Sequence, residues 1–259
     1  MVKRILAGSI LALGLIGCGG SGGSSGTAYV YGIDALPNVG TVSITAAGSV
    51  VLNSAAYEAT SSAFVGVSSG TNASIFLTNS ASTQLASGST TFTSGEYYST
   101  FAIGNLVNQY VFVYPTDVSA PVANAAKLSF VNCSVLQPSV DVYVAVLGSA
   151  TLGTPVISSM TPFNSGQEVQ NLVAGQSYTV QFNVAGTNVS LGTTTITTGT
   201  TPATNEIQLL AITDSQTGVS PAQSIMAPIA IPVVAGAVAP ARMGHPVVIG
   251  HPNMTSFPK

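Results

Sequence analysis

Few side chains in this sequence could do chemistry, and their spacing narrows what that chemistry would be. Of 259 residues only 5% are charged, against roughly 25% in an average globular protein. Serine hydrolysis needs a base beside the nucleophile, most often histidine, yet both histidines, His245 and His251, lie near the C-terminus. Lys127 is the one lysine between Thr27 and Met226, and no Ser-x-x-Lys surrounds it. Glycoside hydrolysis would need two carboxylates at a set separation, for which Asp141, Glu168, Glu206 and Asp214 are the candidates. No Asp-x-Asp run offers clustered oxygens to calcium. His245 and His251 supply two ligands where zinc wants more. The glycine-rich stretch 19–26 lacks lysine and follows no strand, so it is no phosphate loop. The sequence therefore predicts no catalytic residue, no metal site and no cofactor.

The cysteine with a chemical fate is at the other end. Lys3 and Arg4 precede an apolar run from Ile5 to Gly17. That run is short of the ~20 residues a membrane-spanning helix needs and fits the h-region of a secretory signal. It closes on Leu15-Ile16-Gly17-Cys18, which resembles the lipobox of bacterial lipoproteins. The resemblance implies that residues 1–17 are removed and that Cys18 is acylated on sulfur as the first residue of the mature chain. At ~0.8 kcal/mol per buried CH₂, two or three acyl chains hold a protein firmly to a bilayer. Residues 18–26 then read as the lipidated cysteine and a Gly/Ser tether, which as a random coil reaches ~15 Å. Gly19 stands where some lipoproteins carry an inner-membrane-retaining aspartate, so the resemblance favours the outer membrane, on its periplasmic or surface face.

Removal of Lys3 and Arg4 takes the formal charge from −3 to −5 and leaves Lys127, Arg242 and Lys259 as the basic residues. A nucleic-acid partner, which needs a basic face, is excluded on this balance. With Cys18 acylated, Cys133 has no partner for an internal disulfide and reads as a buried thiol.

The body of the chain reads as strands. Ser139 to Leu147 alternates with Val140, Val142, Val144 and Val146 on one face and Asp141, Tyr143 and Ala145 on the other. Ser177 to Val184 puts Tyr178, Val180, Phe182 and Val184 inward, with Thr179, Gln181 and Asn183 outward. Glu206 to Ile212 is apolar on both faces toward its end, as a covered central strand would be. Gln109–Tyr114 and Lys127–Asn132 are shorter versions of the alternating pattern. These elements predict an all-β fold of two tandem immunoglobulin-like β-sandwiches: residues 27–117, then a linker at 118–125, then 126–226. The halves repeat at an offset of ~100 residues. Ala28-Tyr29-Val30-Tyr31 answers Leu128-Ser129-Phe130-Val131, the Leu36-Pro37-Asn38 turn answers Gln137-Pro138-Ser139, and Val39–Ile44 answers Val140–Val146.

The second half carries a more specific pattern. Lys127-Leu128-Ser129-Phe130-Val131-Asn132, followed by Pro138-Ser139-Val140-Asp141-Val142-Tyr143-Val144, resembles the opening segment of the domain-of-unknown-function 4397 family. Leu172 to Val180 resembles that family's later Leu-x-Ala-Gly-x-Tyr-Thr-Val segment, with one inserted residue. The resemblance implies immunoglobulin-like sandwiches, in tandem, in secreted proteins and lipoproteins. It implies no chemistry. The family's histidine is replaced by Asn132 or Cys133, and the first half lacks the Asp-Val-Tyr triplet.

Residues 227–259 form a tail holding Pro228, Pro232, Pro240, Pro246, Pro252 and Pro258. Proline at this density blocks helices and central strands. Three functions compete on these features. The first is a lipid-anchored envelope protein with a structural, adhesive or partner-binding role, self-association included. The second is a carbohydrate-binding surface lipoprotein, with Tyr97, Tyr98, Asp141 and Tyr143 as candidate contacts, although tryptophan is absent. The third is an envelope hydrolase working through the carboxylates named above.

Overall fold

The computed structural model describes residues 26–136, 139–163, 167–198, 207–214, 223–225, 229–231, 233–234 and 247–250. Residues 1–17 and Leu15–Cys18, expected to be a signal peptide and its lipobox, lie outside them, as do most of the expected tether, Glu206 and both histidines. Every named element is a β-strand.

The first half contributes β1 (Thr27–Asp34), β2 (Val42–Ala46), β3 (Ser49–Ala55), β4 (Val65–Ser68), β5 (Gly70–Asn79), β6 (Gln84–Phe92), β7 (Tyr97–Gly104) and β8 (Gln109–Pro115). The second contributes β9 (Ala125–Asn132), β10 (Val140–Val146), β11 (Ile157–Met160), β12 (Gln167–Val173), β13 (Ser177–Val184), β14 (Ser190–Thr197) and β15 (Ile207–Asp214). β16 (Gln223–Ile225), β17 (Ile229–Ile231) and β18 (Val247–Ile249) follow.

Four sheets result. Sheet A runs β18-β8-β7-β1-β4, sheet B β3-β2-β5-β6, sheet C β12-β9-β15-β16 with β17 also on β15, and sheet D β11-β10-β13-β14. The halves repeat strand for strand. β1 lies parallel to β7 as β9 lies parallel to β15, and β2-β5-β6 has the order of β10-β13-β14. The chain is an all-β protein of packed sandwiches.

Period-two alternation explains why each sheet has the partner it has. Sheets A and B close over Val30, Val42, Ile44, Ile75, Leu77 and Phe92, and sheets C and D over Phe130, Val140, Val142, Val180, Phe182 and Leu210. Sheets A and C are apolar on both faces, so a third cluster forms between them. Tyr31, Ile33, Phe101, Ile103, Tyr110 and Phe112 of sheet A meet Val131, Ile207, Leu209, Ala211, Ile229 and Ile231 of sheet C. The two-faced apolar pattern predicted for β15 has this cause: Leu209 and Ala211 face the central cluster while Leu210 and Ile212 face the other. The layer order is B-A-C-D, and Tyr57 Oη and Thr213 Oγ1, 2.7 Å apart, add a polar contact across the halves.

Three sequence expectations change in detail. The strand expected to start at Val39 starts at Val42, because Asn38 (φ 67°) and Gly40 (φ 82°) keep the chain turning. The segment expected to be a linker, 118–125, is partly built in. Val118 joins the central cluster, Pro121 is buried, and Ala125 already belongs to β9. The tail is not wholly irregular either, since β17 pairs with β15 and β18 with β8. In the sequence Pro228 and Pro232 flank Ile229–Ile231 and Pro246 precedes Val247–Ile249. β18 packs Ile249 against Gly88, where a Cβ would stand 2.6 Å from Ile249 Cγ2. Only glycine leaves room for that contact.

Candidate functional site

The charged side chains come first, because they were the candidates for chemistry. Asp141 leaves the valine face of β10 but does not reach solvent. Its Oδ1 accepts from Ser159 N of β11 at 2.7 Å and its Oδ2 from Gly186 N at 2.8 Å, tying the neighbouring strand and the turn after β13 to β10. Asp214, at the end of β15, accepts from Ser134 Oγ at 2.5 Å, Val135 N at 3.1 Å and Leu136 N at 3.3 Å. Burial raises its carboxyl above the ordinary range, and those three donors pull it part of the way back. Asp141 and Asp214 sit in different sheets with their oxygens engaged by different donors. The structure does not bring them together as a pair. For Glu168 only the backbone in β12 is described.

Asp117 and Lys127 form the one ion pair among the described residues. Lys127 Nζ lies 2.7 Å from Asp117 Oδ2 and donates also to Ser119 O and Ser119 Oγ, each at 2.9 Å, so its three protons are all used. Both side chains are 5% exposed. Burial pushes Asp117 up, but the bonds from Lys127 and Ser119 outweigh it and hold the carboxyl below its usual value.

Asp34 ends β1 as Asn132 ends β9. Each side-chain oxygen accepts the amide two residues on, from Leu36 at 2.9 Å and from Ser134 at 3.1 Å. Asn132 also donates to Met160 O at 3.2 Å, which ties the end of β9 to β11. Cys133 beside it is buried, and burial raises its thiol well above the ordinary value. Asp34 is fully buried with Oδ2 unpartnered, and desolvation pushes it up to about 7 despite the Leu36 amide.

A pH signature follows. The folded state keeps a proton on Asp34 that the unfolded chain gives up near its ordinary value of 3.8. Stability contributed by Asp34 is therefore present at low pH and falls as pH rises from there toward 7, by up to about 1.4 kcal/mol per pH unit. Asp214 adds in the same direction, and Asp117, whose carboxyl is lowered, adds the opposite slope at more acid pH. Asp34→Asn is expected to flatten the decline between pH 4 and 7 and to leave the protein more stable at pH 8. Urea midpoints across pH would show this.

The candidate binding residues separate into two places. Tyr98 points into the A/B core, 6% exposed, edge-on to Phe92 at 5.1 Å, and its Oη accepts from Thr93 N at 2.9 Å. A ring so covered cannot stack on a sugar, so Tyr98 is corrected to a core residue. It edges a groove of about 250 Å³ lined also by Thr90, Thr91, Thr93, Val113, Pro115 and Val247. Tyr97, its neighbour on the strand, faces the other way and stacks on Tyr29 at 4.8 Å, with Phe64 edge-on at 5.1 Å. Tyr143 is different. It is half-buried on the outer face of sheet D, directly across from Gln181 of β13, which in turn pairs with Thr193 of β14.

That row is what the sequence reading missed. Gln181 was placed outward but not singled out, because only strand register shows that it neighbours Tyr143. Gln181 Nε2 donates to Asn183 Oδ1 at 2.7 Å, and Thr193 Oγ1 donates to Gln181 Oε1 at 3.3 Å. The amide is thereby fixed beside the aromatic ring.

Comparison with known proteins adds one finding. Residues 28–143 match the family model described as Domain of unknown function (DUF4397). The chain carries a DUF4397-like domain. The match opens inside β1 and ends at Tyr143, so it covers β1 to β9 and the start of β10. It takes in the Asp-Val-Tyr triplet and stops short of Leu172–Val180, the other segment in which the sequence resembles the family. No curated protein matches the chain.

Proposed function

We propose that this DUF4397-like protein is a lipid-anchored envelope protein with a non-enzymatic role as a structural or partner-binding module. The observation that carries the reading is Leu15-Ile16-Gly17-Cys18 at the close of an apolar run, with a Gly/Ser tether that ends where β1 begins at Thr27. Acylated Cys18 fixes the chain to a bilayer, and Gly19 favours the outer membrane. The tether sets the packed sandwiches off the headgroups. The two halves act as tandem copies of one domain type, a reading supported by their common strand order.

Three of the described carboxylates support the non-enzymatic part. Asp117, Asp141 and Asp214 each spend their oxygens on backbone amides, on Lys127 or on the Ser134 hydroxyl, which is what stability requires of buried acids. The test is Cys18→Ala in the native host. The wild-type chain is expected in the membrane fraction and the variant in the soluble envelope fraction. A variant that still sediments with membranes without detergent would overturn the anchor.

A further inference from the structure

We infer that the outer face of sheet D, centred on Tyr143, Gln181 and Thr193, is a binding site for a neutral polysaccharide. The inference gives the partner-binding role above a ligand class, but it stands on separate observations. The strands of the two outer sheets, B and D, hold a single charged residue between them, Asp141, and its carboxylate is turned to Ser159 N and Gly186 N. The one cation among the described residues, Lys127, is buried on Asp117. An anionic polymer or an acidic headgroup would find no countercharge here. An uncharged ligand rich in hydroxyls meets an uncharged face rich in hydroxyls and amides.

The face has an aromatic ring at its centre and fixed polar groups around it. Tyr143 can take the C–H face of a pyranose. Gln181 is oriented on both sides, its nitrogen bonded to Asn183 and its oxygen to Thr193. Groups held in advance lose little entropy on binding. Along β14 the exposed Thr193, Thr195 and Thr197 recur on the same face, and alternate strand residues stand ~7 Å apart. A flat row of this length suits an extended chain of several sugar units better than one sugar in a pocket. Sheet B gives an internal comparison. Phe76 of β5 lies between Thr45 and Ser87 in the equivalent position, with a ring and hydroxyls but no amide in its row.

The experiment is affinity electrophoresis of the full mature chain, in mild detergent, through native gels holding neutral mannan, xylan or β-glucan, with alginate as the acidic comparison. At least one neutral polymer is expected to retard the protein and alginate is not. Tyr143→Ala and Gln181→Ala are each expected to weaken retardation about tenfold or more, equivalent to about 1.4 kcal/mol. Phe76→Ala is expected to leave it unchanged. Both sheet D changes are on an outer face, so thermal midpoints are expected to stay near wild type, which separates lost binding from lost folding. Failure of all neutral polymers, or undiminished binding by both variants, would overturn the inference. So would light scattering showing that the same variants abolish a dimer formed without polysaccharide, since a second copy would then be the occupant. None of these results bears on where Cys18→Ala fractionates, so the anchor and the ligand fail separately.

Discussion

Lys127→Met is expected to destabilise the protein by about 3–5 kcal/mol, the range for leaving one member of a buried ion pair uncompensated. Asp117 would keep its bond from Ser119 N at 2.8 Å but lose its charged partner in a site that excludes water. The loss reaches further than one contact. Lys127 lies in β9 beside Ile207 of β15, and Asp117 follows β8, so the pair ties the crossover between the halves to the centre of sheet C. The double change Asp117→Asn, Lys127→Met is expected to recover most of the loss, because neither residue is then a buried charge. Urea denaturation of the three variants forms the cycle that checks this. A single variant within about 1 kcal/mol of wild type would mean that the pair is hydrated in solution, as exposed pairs are.

Phe112→Ala is the second large effect, at about 3–5 kcal/mol for removing a fully buried aromatic ring. Phe112 stands in the central cluster between sheets A and C, with Tyr114 at 5.7 Å and Phe101 and Phe163 each at 6.1 Å. Because the ring bridges the halves, the variant is expected to loosen their packing as well as lower the urea midpoint. Hydrogen exchange at β8 and β15 should rise together. Exchange rising in β8 alone would show that the halves do not stabilise one another.

How much of this was readable from residue order depends on what a strand can announce about itself. β10 and β13 show their alternation plainly, so the all-β class and the C/D core could be read directly. β15 shows two apolar faces, and from that a covered strand follows. What covers it does not, since Tyr110, Phe112 and Tyr114 across the central cluster lie about a hundred residues away with no local sign of the pairing. The same limit hid β18. Val247–Ile249 is an unremarkable apolar triplet among prolines until Gly88 is seen to make space for it. Among site residues, Tyr143 could be picked out by its position on the polar face of β10. Gln181 and Thr193 could not, because their link to it is a register and not a spacing. For Asp141, alternation tells which face the side chain leaves from, not that the amides of Ser159 in β11 and of Gly186 then close on its carboxylate.

Anchoring depends on Cys18, and the direct measurement is the intact mass of the N-terminal peptide of the mature protein purified from membranes. The prediction is a chain that begins at Cys18 and carries two or three acyl chains. A mature chain that begins elsewhere, or an unmodified thiol at Cys18, would contradict it.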